Sequence, residues 1–178
     1  LYGSPEYSTD TLPVLDPVKH TMTTFHATVL DPQMPLSLGP GHAAALDVAM
    51  ASPYWGSDRI WETRVNNHNS MLDRQGRVWL AAAVRGPENP AYCRKGSSHP
   101  SAQAFPLERT NRHLAVLDPK TMKYTPVDTC FGSHHLQFDA KDRLWTSGAP
   151  VAGWVDTKKF DETGDAAASQ GWSPFVLD

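Results

Sequence analysis

The chain has 178 residues, a formal net charge of −3 and a pI near 6.2, a length that suits one ordinary domain. It carries no Lys/Arg cluster, which argues against nucleic acid as a partner. No apolar run approaches the ~18 residues needed for a membrane-spanning helix.

Residues 1–51 are expected to form an irregular N-terminal segment, or part of a repeat unit, followed by β-rich units over residues 52–178. Three stretches share a histidine, four residues and an aspartate: HAAALD at His42, HNSMLD at His68 and HHLQFD at His134. The second and third continue together as HNSMLDRQGRVWL and HHLQFDAKDRLWT, so 66 residues separate His68 from His134 and Trp79 from Trp145. A fixed offset signals one supersecondary unit used more than once, with equivalent side chains in equivalent places. The first match is looser: His42 precedes Trp61 by 19 residues where the other units have 11. An insertion or a chance match explains the difference.

In the second unit, apolar residues 70–72 lead into Asp73-Arg74-Gln75-Gly76 and out through 77–81. Asp bonds nearby backbone N–H groups and Gly supplies positive φ, so a β-hairpin is expected. The third unit places Asp142 where the second has Gly76, and Asp tolerates the left-handed region better than most residues. Residues 86–106 are rich in Pro, Ser and Gly and read as a long loop, of a length usually tied down or functional. Residues 113–117 and 123–127 read as a second hairpin around Asp118-Pro119-Lys120-Thr121. Residues 156–170 break the strand pattern and suggest a short helix or surface excursion. Two hairpins followed by a new unit is the pattern of a β-propeller blade. The expected fold is all-β, with two to three four-stranded antiparallel blades. Closure needs about four blades or more, so this reads as a segment of a larger propeller. The remaining blades would come from the same propeller or from another chain.

The residues Asp73, Gly76 and Trp79, then Leu117, Asp118, Pro119, Thr121 and Lys123, resemble the paired hairpins of streptogramin (virginiamycin B) lyase-like propellers, with Met122 where that family prefers Gly. WETRVNNHNSMLDRQGRVW, RHLAVLDPKTMKY and DTCFGSHHLQFD resemble segments of large, secreted, uncharacterised bacterial propeller proteins. The resemblance covers residues 52–178 and implies a propeller with lyase-like chemistry. The lyases' catalytic His and Glu have no assigned counterpart here.

If the repeat histidines head the innermost strands, His68 and His134 project toward a central channel from successive blades. Imidazole suits iron and copper, whereas magnesium would accord with a lyase. His42 ranks behind these two. So does His135, which strand alternation points to the opposite face. A ligating imidazole needs an orienting partner, for which Asn67, Asn69 and Glu62 are near in sequence. The bland alternative is that these histidines only hold strands together. Asp73 and Asp139 are expected as turn residues, and Trp61, Trp79 and Trp145 as packing between blades. Tyr54 and Trp55, in a Pro/Gly-flanked loop, and Asn67 and Asn69, in a polar run before a strand, are the candidate substrate contacts. Asp161, Glu162 and Asp165 fit no EF-hand spacing and read as a solvated face.

Cys93 in the long loop and Cys130 before the third unit are either a disulfide or two buried thiols. A disulfide favours an extracytoplasmic compartment. No G-x-S-x-G motif and no Cys–His pair point to nucleophilic catalysis. The leading expectation is an extracytoplasmic propeller enzyme with a His-ligated metal, performing lyase-like or oxidative chemistry. The alternative is a non-catalytic propeller scaffold binding a carbohydrate, a peptide, another small molecule or a partner subunit.

Overall fold

The computed structural model describes residues 1–6, 8–34, 53–54, 56, 63–148 and 151–173. It is mostly β, with 40% strand and 10% helix. Strands β1 (Thr11–Asp16) and β2 (Thr21–His26) form a hairpin. Strands β3 (His68–Leu72), β4 (Val78–Ala82), β5 (His113–Asp118) and β6 (Lys123–Val127) form one four-stranded antiparallel sheet in chain order. Strands β7 (His135–Phe138), β8 (Arg143–Gly148), β9 (Val151–Asp156) and β10 (Gln170–Ser173) form a second. The described residues do not close into a barrel or propeller, and none of their helices is long and apolar enough to cross a membrane.

The first hairpin of each sheet turns on one aspartate. Asp73 Oδ1 accepts the N–H groups of Gln75 and Arg77 at 2.9 Å, while Oδ2 accepts Arg77 Nε at 2.7 Å and the Trp79 indole N–H at 3.0 Å. Asp139 repeats the pattern with Lys141, Arg143 and Trp145. The Trp145 hydrogen bond, opposed by burial and joined by the hydrogen bonds of Arg143 and Lys141, holds the Asp139 carboxyl well below the usual carboxylate range. Gly76 and Asp142 occupy equivalent positions and both take positive φ, 81° and 62°. The D-x-x-(G/D)-R-x-W signature is thus a turn motif that fastens a tryptophan to its own hairpin.

The N-terminal segment, expected to be irregular or part of a repeat unit, contains a repeat-like hairpin. LPVLDP at residues 12–17 matches LAVLDP at 114–119, and β1–β2 pairs Asp16 with Thr21 as β5–β6 pairs Asp118 with Lys123. His20 and Met122, each three residues beyond the proline, have φ of 55° and 57°. The β1–β2 hairpin therefore corresponds to the second hairpin of the first sheet.

Strand β4 is buried at every position, as befits a strand covered on both faces. Trp79, Ala81, Leu114 and Val116 pack with Phe131, Leu136, Leu144, Val155 and Phe160 of the second sheet and its connections. The alternate residues Val78, Leu80, Ala82, Ala115 and Leu117 pack with Leu12 and Ala27 of the hairpin layer. Three layers stack in chain order: hairpin, first sheet, second sheet. Each fully buried large apolar side chain contributes about 1.5–3 kcal/mol to that stacking.

The long loop contains a 3-10 turn (Ala91–Cys93) and helix α1 (Pro100–Ala104). It is fastened by a disulfide between Cys93 and Cys130. Asn89 reinforces it, donating to the carbonyls of Leu107 and Cys130 and accepting from Arg85 and Thr110. The excursion after β9 is helix α2 (Thr157–Thr163), whose first turn is capped by Asp156 and which ends at Gly164 with φ 66°.

Candidate metal centre

Strands β3 and β7 open the two sheets and lie side by side, and their N-terminal ends bring histidines together. His68 starts β3, where the pairing with β4 shifts register between His68 and Ser70. Asn69 sits at that bulge with φ 41°, and its Oδ1 accepts the Leu136 N–H of β7 at 3.0 Å. One asparagine thus fixes both the bulge and the junction between the sheets. His134 and His135 are anchored by their own backbones, donating N–H to Thr146 Oγ1 at 3.1 Å and Ser147 Oγ at 3.3 Å.

The His68 and His134 rings stack at 4.4 Å between centroids and 14° between planes. His135 joins them, 4.2 Å from His134 and 5.9 Å from His68. One ring nitrogen from each histidine lies within 4.8 Å of the other two. The alternation that set His135 aside does not operate here: β7 begins at His135 itself, so His134 lies before the strand and the pair does not obey the two-residue period.

Among the described residues the partner orienting His68 is Glu6, while Asn67 and Asn69 bond elsewhere. Glu6 Oε2 lies 2.9 Å from His68 Nδ1, and its other oxygen is bound by Arg112. Burial pushes the Glu6 carboxyl up, but Arg112 and His68 outweigh it and hold it below the ordinary range. The carboxylate accepts the hydrogen bond from Nδ1–H, which in a neutral imidazole puts the lone pair on Nε2. That nitrogen is enclosed and has no hydrogen-bond partner among the described residues. A carboxylate on one imidazole nitrogen and an unused lone pair on the other is the outer-shell arrangement of metal-binding histidines. At His134, burial and then the charges of His68, His135 and Arg112 lower the pKa, only partly opposed by Glu6. A neutral imidazole is what ligation requires.

Asn67 is buried and its Oδ1 accepts the Tyr124 hydroxyl at 3.1 Å. Tyr54 is exposed, whereas His42, Trp55, Trp61 and Glu62 lie outside the described residues. No local sequence signal marks Glu6, because the N-terminal segment reaches His68 only through the tertiary fold. No known family, curated protein or solved structure matches the chain.

Proposed function

We propose that this chain belongs to an extracytoplasmic β-propeller in which His68, His134 and His135 hold a transition metal and Glu6 orients His68. The observation that carries this reading is the convergence of histidines from two repeat units on one spot, where one ring nitrogen from each lies within 4.8 Å of the other two. Three imidazoles without a carboxylate in the ligand set suit copper, iron or zinc and not magnesium, which takes oxygen ligands. Three protein ligands also leave a position for water or substrate. The stacked four-stranded meanders support the blade reading, and the disulfide supports a compartment outside the cytoplasm. The resemblance to streptogramin lyase-like propellers adds elimination on a cyclic ester as one reaction class, and a redox-active metal would favour oxidation instead.

Metal content of the purified chain, measured by mass spectrometry after loading with copper, iron or zinc and then desalting, tests this reading. One equivalent of metal is expected, lost in folded His68→Ala and His134→Ala variants. Absence of metal from the folded wild-type chain would refute the centre and leave a scaffold binding a carbohydrate, peptide or partner subunit.

A further inference from the structure

The two sheets are copies of one unit, so each position of the second has a counterpart in the first. In the first sheet the register sets Met71 opposite Trp79 and Ala81 opposite Leu114. In the second it sets Gln137 opposite Trp145 and Ser147 opposite Ala152. The first of these faces is covered: Trp79, Ala81 and Leu114 have no exposed surface, and Met71 packs beside them. In the second copy Met becomes Gln, Ala becomes Ser and Leu becomes Ala. Two apolar positions turn polar and a third loses most of its side chain. A layer packed here as the second sheet packs on the first would strand the Gln137 amide and leave a void at Ala152. The face instead carries a groove of about 330 Å³, bordered by His135, Gln137, Trp145, Ser147 and Ala152.

Polarity is graded across this groove. His135 and Gln137 stand on β7, with Ser147 of β8 opposite His135. Trp145 of β8 and Ala152 of β9 make the apolar end, and Trp154 extends it with its ring 6.4 Å from that of Trp145. The Trp145 N–H is spent on Asp139, so this residue offers only its ring. Ser147 Oγ accepts the His135 N–H at 3.3 Å, and its own proton meets no acceptor among the described residues. Gln137 gives one N–H to the Phe138 carbonyl at a long 3.4 Å, and its amide oxygen accepts no hydrogen bond among the described residues. His135 also belongs to the histidine cluster, 4.2 Å from His134 between ring centroids. The groove and the candidate metal centre thus share a side chain.

We propose that this groove binds a hydroxylated aromatic ring, a phenol, stacked on Trp145 with its hydroxyl among His135, Gln137 and Ser147. The volume lies at the small end of ligand pockets, about 300–1,000 Å³, and suits a single ring better than a polymer. A planar ring gains from stacking on an indole. Its one hydroxyl needs one or two partners, which the β7 end supplies. A sugar carries hydroxyls around its whole rim, and those lying over Trp145 and Ala152 would leave water without finding a partner. The inference rests on the metal reading only in making the ring a substrate of that centre. Binding in the groove does not itself require the metal.

The test follows the Trp145 indole N–H resonance of the metal-free chain by NMR as phenol is added to millimolar concentration. A saturable shift is expected, with nuclear Overhauser contacts from the phenol ring to Trp145 and to the Ala152 methyl. Cyclohexanol keeps the hydroxyl without the flat ring, and methoxybenzene keeps the ring without a donor. Each should bind about 10-fold more weakly than phenol. Ala152→Leu and Gln137→Met restore the residues that the first sheet already packs, so the fold should be retained while phenol affinity falls by about 10-fold. No shift at Trp145, ring contacts elsewhere in the chain, or glucose bound in preference to phenol overturns the proposal with no variant needed. Unchanged affinity in a folded Ala152→Leu variant overturns it as well. Loading the chain with zinc should tighten phenol binding, and equal affinity with and without bound metal overturns the ring's role as substrate. A chain that takes up no metal yet binds phenol at Trp145 refutes the metal centre and not the groove, so the two failures are distinguishable.

Discussion

Replacing Asp73 by Ala tests whether the repeat aspartate organises its hairpin. The substitution removes the acceptor for the backbone N–H of Gln75 and Arg77, for Arg77 Nε and for the Trp79 indole. Breaking a buried ion pair by deleting one partner costs about 3–5 kcal/mol, and stranding a buried donor such as the indole N–H costs about 1–3 kcal/mol. Arg77 keeps Asp161 as a second partner, which places the total at about 4 kcal/mol, a large share of a typical stability of about 5–15 kcal/mol. For a chain of this size the corresponding fall in Tm is about 12 °C. Chemical denaturation followed by circular dichroism, with calorimetry for Tm, measures it. Asp73→Asn, which retains one acceptor oxygen, should fall between. Asp139→Ala removes the same set of contacts from a more open face and should cost less. Equal losses at the two positions, or a loss at Asp73 under about 1 kcal/mol, would refute a hub whose strength depends on its covering layer.

Other consequences follow from the same contacts. Glu6→Gln should weaken metal binding by about 10–100-fold without unfolding the chain, and nitrogen NMR should show His68 losing its preference for the Nδ1–H tautomer. Wild-type affinity and tautomer in the variant would contradict the orienting role. Reducing the Cys93–Cys130 disulfide opens a covalent loop with a sequence separation of 37, and the chain-entropy relation gives a loss of about 4 kcal/mol, or about 12 °C in Tm. A melt indifferent to reductant would exclude that contribution. His113 is fully buried, and burial, then the charge of Arg85, hold its pKa well below the ordinary value, opposed only in part by the hydrogen bond from Nδ1 to the Thr129 carbonyl at 3.1 Å. It is neutral when folded, whereas the unfolded chain binds a proton below about pH 6.5. Stability present above that pH is therefore lost as pH falls toward the folded pKa, by up to about 1.4 kcal/mol per unit for this group. Denaturation midpoints at pH 7 and 5.5 should differ more for the wild type than for His113→Gln, and equal differences would remove His113 as the cause.

The repeat carried much of the fold in its sequence. Asp73 with Gly76 and Asp139 with Asp142 encode turns through backbone hydrogen bonding and left-handed φ, which are local properties. The continuous apolar run through Trp79 and the shorter one at Leu144–Trp145 encode strands for the same reason. The second hairpin copy, LPVLDP, lay in the segment expected to be irregular or part of a repeat unit, and was not singled out because its matching repeat sits in the outer strands and not beside the histidine that defined the other units. Asn67 and Asn69 were legible as unusual polar residues, but only the fold shows one holding Tyr124 and the other joining β3 to β7.

The 66-residue offset by itself marked His68 and His134 as equivalent, because equal sequence gives equal local structure, and the structure puts His68 at the start of β3 and His134 just before β7. Tertiary structure decided what surrounds them. His135 joins the cluster because β7 begins one residue later than alternation assumed, and Glu6 reaches His68 because the N-terminal segment folds back over the first sheet. Hydrogen bonds within a turn are fixed by residues a few positions apart, and so can be read along the chain. A carboxylate that sets the tautomer of a distant imidazole is brought there only by the packing of whole layers, which no local pattern records.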